Sequence, residues 1–129
     1  MNFAITLLAG PQDPAARTAL NFARAVVDAG HEVSRLFFYR DAVHIASNLG
    51  VQPQDEHDIS REWRQFIAEH KLDAVVCIAA ALRRGVLNEE EAQRWDRHAA
   101  NTGTPWDLSG LGQWVDALQS ADRAVSFGN

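Results

Sequence analysis

The chain has 129 residues, 47% of them apolar and 22% charged, which suits one compact domain with a sizeable core. Its net charge of −5, from 12 basic and 17 acidic residues, argues against the dense cationic surface that direct nucleic-acid binding requires. No apolar run approaches the ~20 residues that cross a bilayer. The start, MNFAITLLAG, has no basic segment before its apolar stretch, so no membrane association and a cytoplasmic location are expected.

Phe3 to Leu8 is short, apolar and closed by Gly10 and Pro11, and it reads as a buried strand. Asp13-Pro14 supplies an N-cap and a first-turn proline for a helix over Ala15–Ala29, with Leu20, Ala23 and Val27 on one face and Gly30 at its end. His31–Tyr39 returns to strand composition. Asp41 caps a short helix through Leu49, and the polar segment Val51–His57 is a loop. Asp58 then caps a helix striped by Ile59, Trp63, Phe66 and Ile67.

Ala74–Ala79 (AVVCIA) has no polar residue, as expected for a strand covered on both faces. Ala80–Arg84 makes a helical turn ending at Gly85. Asn88 with Glu91 resembles a capping pair that opens a helix toward Ala100, with Ala92 and Trp95 turned inward. Asn101–Trp106 reads as a loop, with Trp106 a candidate subunit contact. Ser109 caps a last helix whose inner side carries Leu111, Val115 and Leu118, and Arg123–Phe127 is a final strand. Strands alternating with helices imply an α/β fold: a doubly wound, three-layer arrangement around a mostly parallel sheet, in a single domain over residues 1–129.

The single cysteine, Cys77, excludes an internal disulfide and any multi-thiolate zinc or iron–sulfur site within one chain. The histidines at 31, 44, 57, 70 and 98 show no i,i+4 pairing, and the loop after the first strand has neither GxGxxG nor GxxxxGK. Two readings of Cys77 follow from its neighbours. In AVVCIA it can be a small core hydrophobe. Alternatively, at the carboxyl end of a parallel strand, near a helix start and within reach of Arg83 or Arg84, it can act as a nucleophilic thiolate.

Four stretches carry a resemblance to the DsrE/TusD sulfur-relay family: HEVSRLFFYRDAV at 31–43, QDEHD at 54–58, CIAAALRRGVLNEEEA at 77–92 and DLSGLGQW at 107–114. The likeness runs from Met1 to Phe127 and is greatest to the TusD-type subunits. It implies a DsrE-like α/β fold and a sulfurtransferase in which Cys77 holds sulfur as a persulfide, with Arg83 and Arg84 as candidate stabilisers of the thiolate or persulfide. It also implies a heterohexamer with TusB-like and TusC-like subunits, a TusA-like donor and a TusE-like acceptor, the sulfur ending as the 2-thio group of wobble uridine in tRNA. No metal, nucleotide or flavin cofactor is expected. Two alternatives stand beside this: a DsrE-like subunit of a DsrEFH complex in dissimilatory sulfur oxidation, and a non-catalytic scaffold subunit with Cys77 buried and inert.

Overall fold

The computed structural model describes residues 1–129. Five strands, β1 (Asn2–Leu7), β2 (Glu32–Phe38), β3 (Ala74–Cys77), β4 (Trp106–Ser109) and β5 (Arg123–Phe127), form one sheet in the order β4-β3-β2-β1-β5, with every pairing parallel. Between them lie α1 (Pro14–Asp28), a 3-10 helix (Arg40–Ala46), α2 (Ile59–His70), α3 (Ile78–Arg83), α4 (Glu89–Arg94) and α5 (Leu111–Ser120).

Three of the caps act where the sequence places them, whereas Asp41 does not cap: Tyr39 stands at the N-cap of the 3-10 helix, with no side-chain capping bond. Side-chain oxygens of Asp13, Asp58 and Asn88 accept from the backbone N–H groups of Ala15, Arg61 and Glu91 at 2.8, 3.1 and 2.9 Å, meeting donors that a helix start leaves open. Gly30, just past α1, has φ of +82°, a conformation glycine adopts without a Cβ penalty.

Side chains alternate across each strand, so the register sorts the core into two layers. On one face Phe38 meets Trp63 of α2 and Trp106 of β4 edge-on, at ring-centroid distances of 5.2 and 5.0 Å, and Trp63 Nε1 donates to the Ala16 carbonyl at 3.2 Å. Phe3 packs on Phe22 of α1 on this same face. On the other face Phe37 stacks on Trp114 of α5, and Trp114 Nε1 donates to Thr6 Oγ1 at 2.9 Å. Helices therefore cover both sides of the sheet. The three-layer expectation holds, and the sheet is wholly parallel.

The C-terminal third departs from the sequence reading. Trp106–Ser109 is an edge strand, and Trp106 is buried against Phe38 rather than exposed in a loop as a subunit contact. Pairing with β3 makes this strand: four residues containing Asp107 carry too little periodicity to announce it. Gly110, not Ser109, is the N-cap of α5. α4 stops at Arg94, and Trp95 beyond it is 53% exposed instead of inward. On α5 the inner residues are Trp114 and Ala117, whereas Leu111 and Val115 stand 45% and 49% exposed. A helix with two apolar sides gives periodicity no basis for choosing the inner one.

Candidate functional site

Cys77 is the last residue of β3 and the N-cap of α3, so strand passes to helix with no intervening loop. This puts it at the carboxyl end of a parallel sheet, where open α/β folds gather their reactive groups. In the register Cys77 lies opposite Ser109, and Phe37 opposite Val75. Alternation then places Cys77, Val75, Phe37 and Ser109 on the α5 side of the sheet. That side is the one whose helix begins two residues after Ser109 and carries the exposed Leu111 and Val115.

Cys77 is a free thiol, 2% exposed in the isolated chain, and belongs to the continuous apolar core. Its side chain makes no capping bond to α3. The N–H groups of the first turn of α3 lie next to it along the chain, and an anion there would meet their positive end.

The two arginines have separate placements. Arg84 is engaged: Nε donates to Asp41 Oδ1 at 2.9 Å and Nη1 to the Ala80 carbonyl at 3.2 Å. Arg83 is exposed and forms no ion pair. It lies six residues beyond Cys77 on one short helix, about 9 Å along the axis, within a screening length of about 10 Å. Arg83 also borders an open cleft of about 410 Å³, shared with Ala79, Leu82, Leu87, Trp95 and Arg97. Ala79 belongs to the first turn of α3, so the cleft opens along the helix that Cys77 begins.

Sequence reasoning did not find the Asp41 partner of Arg84, because the two residues meet only when the 3-10 helix packs on α3. Nor did it place Ser109 beside Cys77, since that proximity depends on β4 being a strand. Asp55, Glu56 and His57 line a different cleft, with Arg17 and Gln12. No three His, Cys, Asp or Glu side chains gather in a way that could hold a metal ion.

A wholly parallel five-stranded sheet covered by helices on both faces, with its one cysteine where β3 passes into α3, is the class of α/β protein that the fold and site define. A family model of DsrE/DsrF-like proteins matches residues 1–127, and the chain belongs to that family. It is 59% identical over 128 residues, 99% of this chain and 98% of the relative, to the sulfurtransferase TusD homolog of Pseudomonas aeruginosa. It is 43% identical over 130 residues, all of both chains, to the protein named DsrE of Allochromatium vinosum. The crystal structure of the ychN protein of E. coli superposes with a TM-score of 0.78 over 98% of this chain and 99% of that one, at 17% identity, and shares its fold. The chain is a sulfurtransferase of the sulfur-relay type.

Proposed function

We propose that Cys77 accepts sulfur as a persulfide and passes it on, within a cytoplasmic TusBCD-like assembly that serves 2-thiolation of wobble uridine in tRNA. The observation that carries this reading is the position of the only cysteine, at the carboxyl end of β3 with α3 starting at the next residue. The higher identity to the TusD homolog than to DsrE favours the thiouridine route over dissimilatory sulfur oxidation.

The chemistry is thiol–persulfide exchange. The Cys77 thiolate attacks the outer sulfur of a persulfide on a TusA-like donor; a new S–S bond forms on Cys77 and the donor leaves as a thiolate. The thiolate of a TusE-like acceptor then attacks that same outer sulfur, and Cys77 leaves as a thiolate. Each step breaks one S–S bond and forms one, so the relay balances without oxidant, metal, nucleotide or flavin. Burial keeps the loaded sulfur from water and stray oxidants, and transfer requires the cover over Cys77 to open. Arg83, unpaired on the rim, attracts anionic persulfide and acidic partners. Arg84, tied to Asp41, holds α3 in place. The exposed Leu111 and Val115 on α5 suit contact with TusB-like and TusC-like subunits.

The burial of Cys77 also favours a second reading, a scaffold subunit whose cysteine stays inert. One experiment separates the two. Incubation with a persulfide donor, followed by intact-mass measurement, adds one sulfur of about 32 Da to a carrier, and Cys77→Ser removes the increment without changing the circular dichroism spectrum. An unmodified wild-type chain, both alone and in its native assembly, under conditions that load a control carrier establishes the scaffold instead.

A further inference from the structure

The open cleft beside Arg83 is walled by Ala79 and Leu82 of α3 and by Leu87, Trp95 and Arg97, and no Asp or Glu lines it. We infer that it docks an acidic segment of the protein that exchanges sulfur with Cys77, with carboxylate side chains on Arg83 and Arg97 and an apolar side chain against Trp95. The inference deepens the persulfide reading of Cys77 and rests on it for the role of that partner.

Trp95 is exposed, yet its ring is held. Its Nε1 donates to Glu91 Oε1 at 3.3 Å, and Glu91 is itself buried and paired with Arg94. Backbone bonds from Asp96 to the Gln93 carbonyl and from Arg97 to the Ala92 carbonyl close the end of α4, with Asp96 in the left-handed region at φ of +54°. Arg97 Nη1 also donates to the Trp95 carbonyl at 2.8 Å, which folds the arginine back beside the indole. A large aromatic surface fixed before anything binds loses little freedom when a partner covers it.

Charge complementarity names the occupant. Arg83 and Arg97 are exposed and form no ion pair, as is also true of Arg40, Arg61, Arg64 and Arg123. What sets Arg83 and Arg97 apart is that they border one cleft together with an exposed indole. In a chain of net charge −5 this cleft is locally cationic, so it favours a carboxylate-bearing segment over a basic one. Arginine and tryptophan with leucine, and no lysine or carboxylate, is also the composition found at the centre of protein interfaces. The place of the cleft selects the partner. Ala79 lies two residues beyond Cys77, and Arg83 about 9 Å along α3 from it, a length an extended chain spans in about three residues. A segment anchored on Arg83 thus brings a thiol about three residues further on to the level of Cys77.

The test is fluorescence anisotropy of a labelled peptide titrated with the full chain. The probe is a Gly-Ser peptide of about ten residues carrying one Leu between two Glu; the controls carry Gln for Glu or Ser for Leu, and a uridine oligonucleotide is a further arm. Saturable binding of the probe that weakens as salt rises is expected, with a loss of about threefold or more for either control peptide and for Arg83→Gln or Arg97→Gln. Trp95→Ala, with an unchanged circular dichroism spectrum, is expected to weaken binding about tenfold or more. Absence of saturable binding, or equal binding of the Gln peptide, overturns the inference. Tighter binding of the oligonucleotide overturns it in favour of nucleic acid, and self-association in sedimentation that Trp95→Ala abolishes overturns it in favour of a second copy of the chain. Cys77→Ser retains peptide binding, so the two readings fail separately: loading of Cys77 without peptide binding sinks the docking cleft, and peptide binding without loading sinks the persulfide reading.

Discussion

Arg84 Nε donates to Asp41 Oδ1 at 2.9 Å, joining the far end of the helix that Cys77 begins to the first turn after β2. Asp41 is largely exposed, so the pair itself adds at most about 1 kcal/mol to stability, and its consequence is positional. Asp41→Asn and Arg84→Gln are each expected to lower stability by less than about 1 kcal/mol and to slow sulfur loading of Cys77 by a similar factor, about two- to tenfold. Loading kinetics followed by intact mass check this. A fall confined to Arg84→Gln assigns the effect to the arginine's charge rather than to the tie.

A pH dependence follows from Glu62 on α2. The Arg17 guanidinium donates to Glu62 Oε1 at 2.7 Å, and this hydrogen bond, with the nearby positive charges of Arg17 and Arg24, holds the Glu62 carboxyl below its ordinary value of 4.5 against the opposing effect of burial. A carboxyl whose pKa is lower in the folded state contributes stability that is present above its ordinary value and fades as pH falls through the lowered one. Glu62→Gln is therefore expected to destabilise at pH 7. The difference from wild type should shrink steadily below pH about 4.5, as urea melts across pH 3–7 would measure. A constant difference across that range contradicts the assignment.

Gly128 closes the C-terminal strand against the loop after β1. It has φ of +86°, and a Cβ there would stand 2.8 Å from the Ala9 Cβ and 3.0 Å from the Ala9 backbone nitrogen. Gly128→Ala meets both a disfavoured backbone region and a clash with a backbone atom, so a loss of about 1–3 kcal/mol is expected by chemical denaturation.

Lys71 is the opposite case. It ends α2 in the left-handed region at φ of +51°, where its side chain adds conformational strain. Lys71→Gly is expected to leave stability unchanged or raise it by up to about 1 kcal/mol, even though glycine elsewhere weakens a helix. A Tm measurement decides it.

Trp106 and Trp95 should respond to very different degrees. Trp106 is buried edge-on to Phe38, and Trp106→Ala is expected to lose about 3–5 kcal/mol. Trp95 is exposed, with only a 3.3 Å bond from Nε1 to Glu91 Oε1, and Trp95→Ala should lose less than about 1 kcal/mol. Equal losses would mean that the cleft beside Arg83 is closed in solution.

The sequence by itself determined the strand–helix alternation, the caps at Asp13, Asp58 and Asn88, and the place of Cys77 late in an all-apolar strand, which the structure ends at Cys77 rather than at Ala79. These depend on neighbours within a few residues, through local hydrogen bonds and hydrophobic period. Only the tertiary structure decided that Trp106–Ser109 is a strand, which side of α5 faces the sheet, and that Arg84 meets Asp41. Each of those depends on a partner distant in the chain: β3 for the edge strand, Phe37 and Thr6 for the inner side of α5, and the 3-10 helix for Arg84. Local periodicity carries no information about what a segment will be packed against.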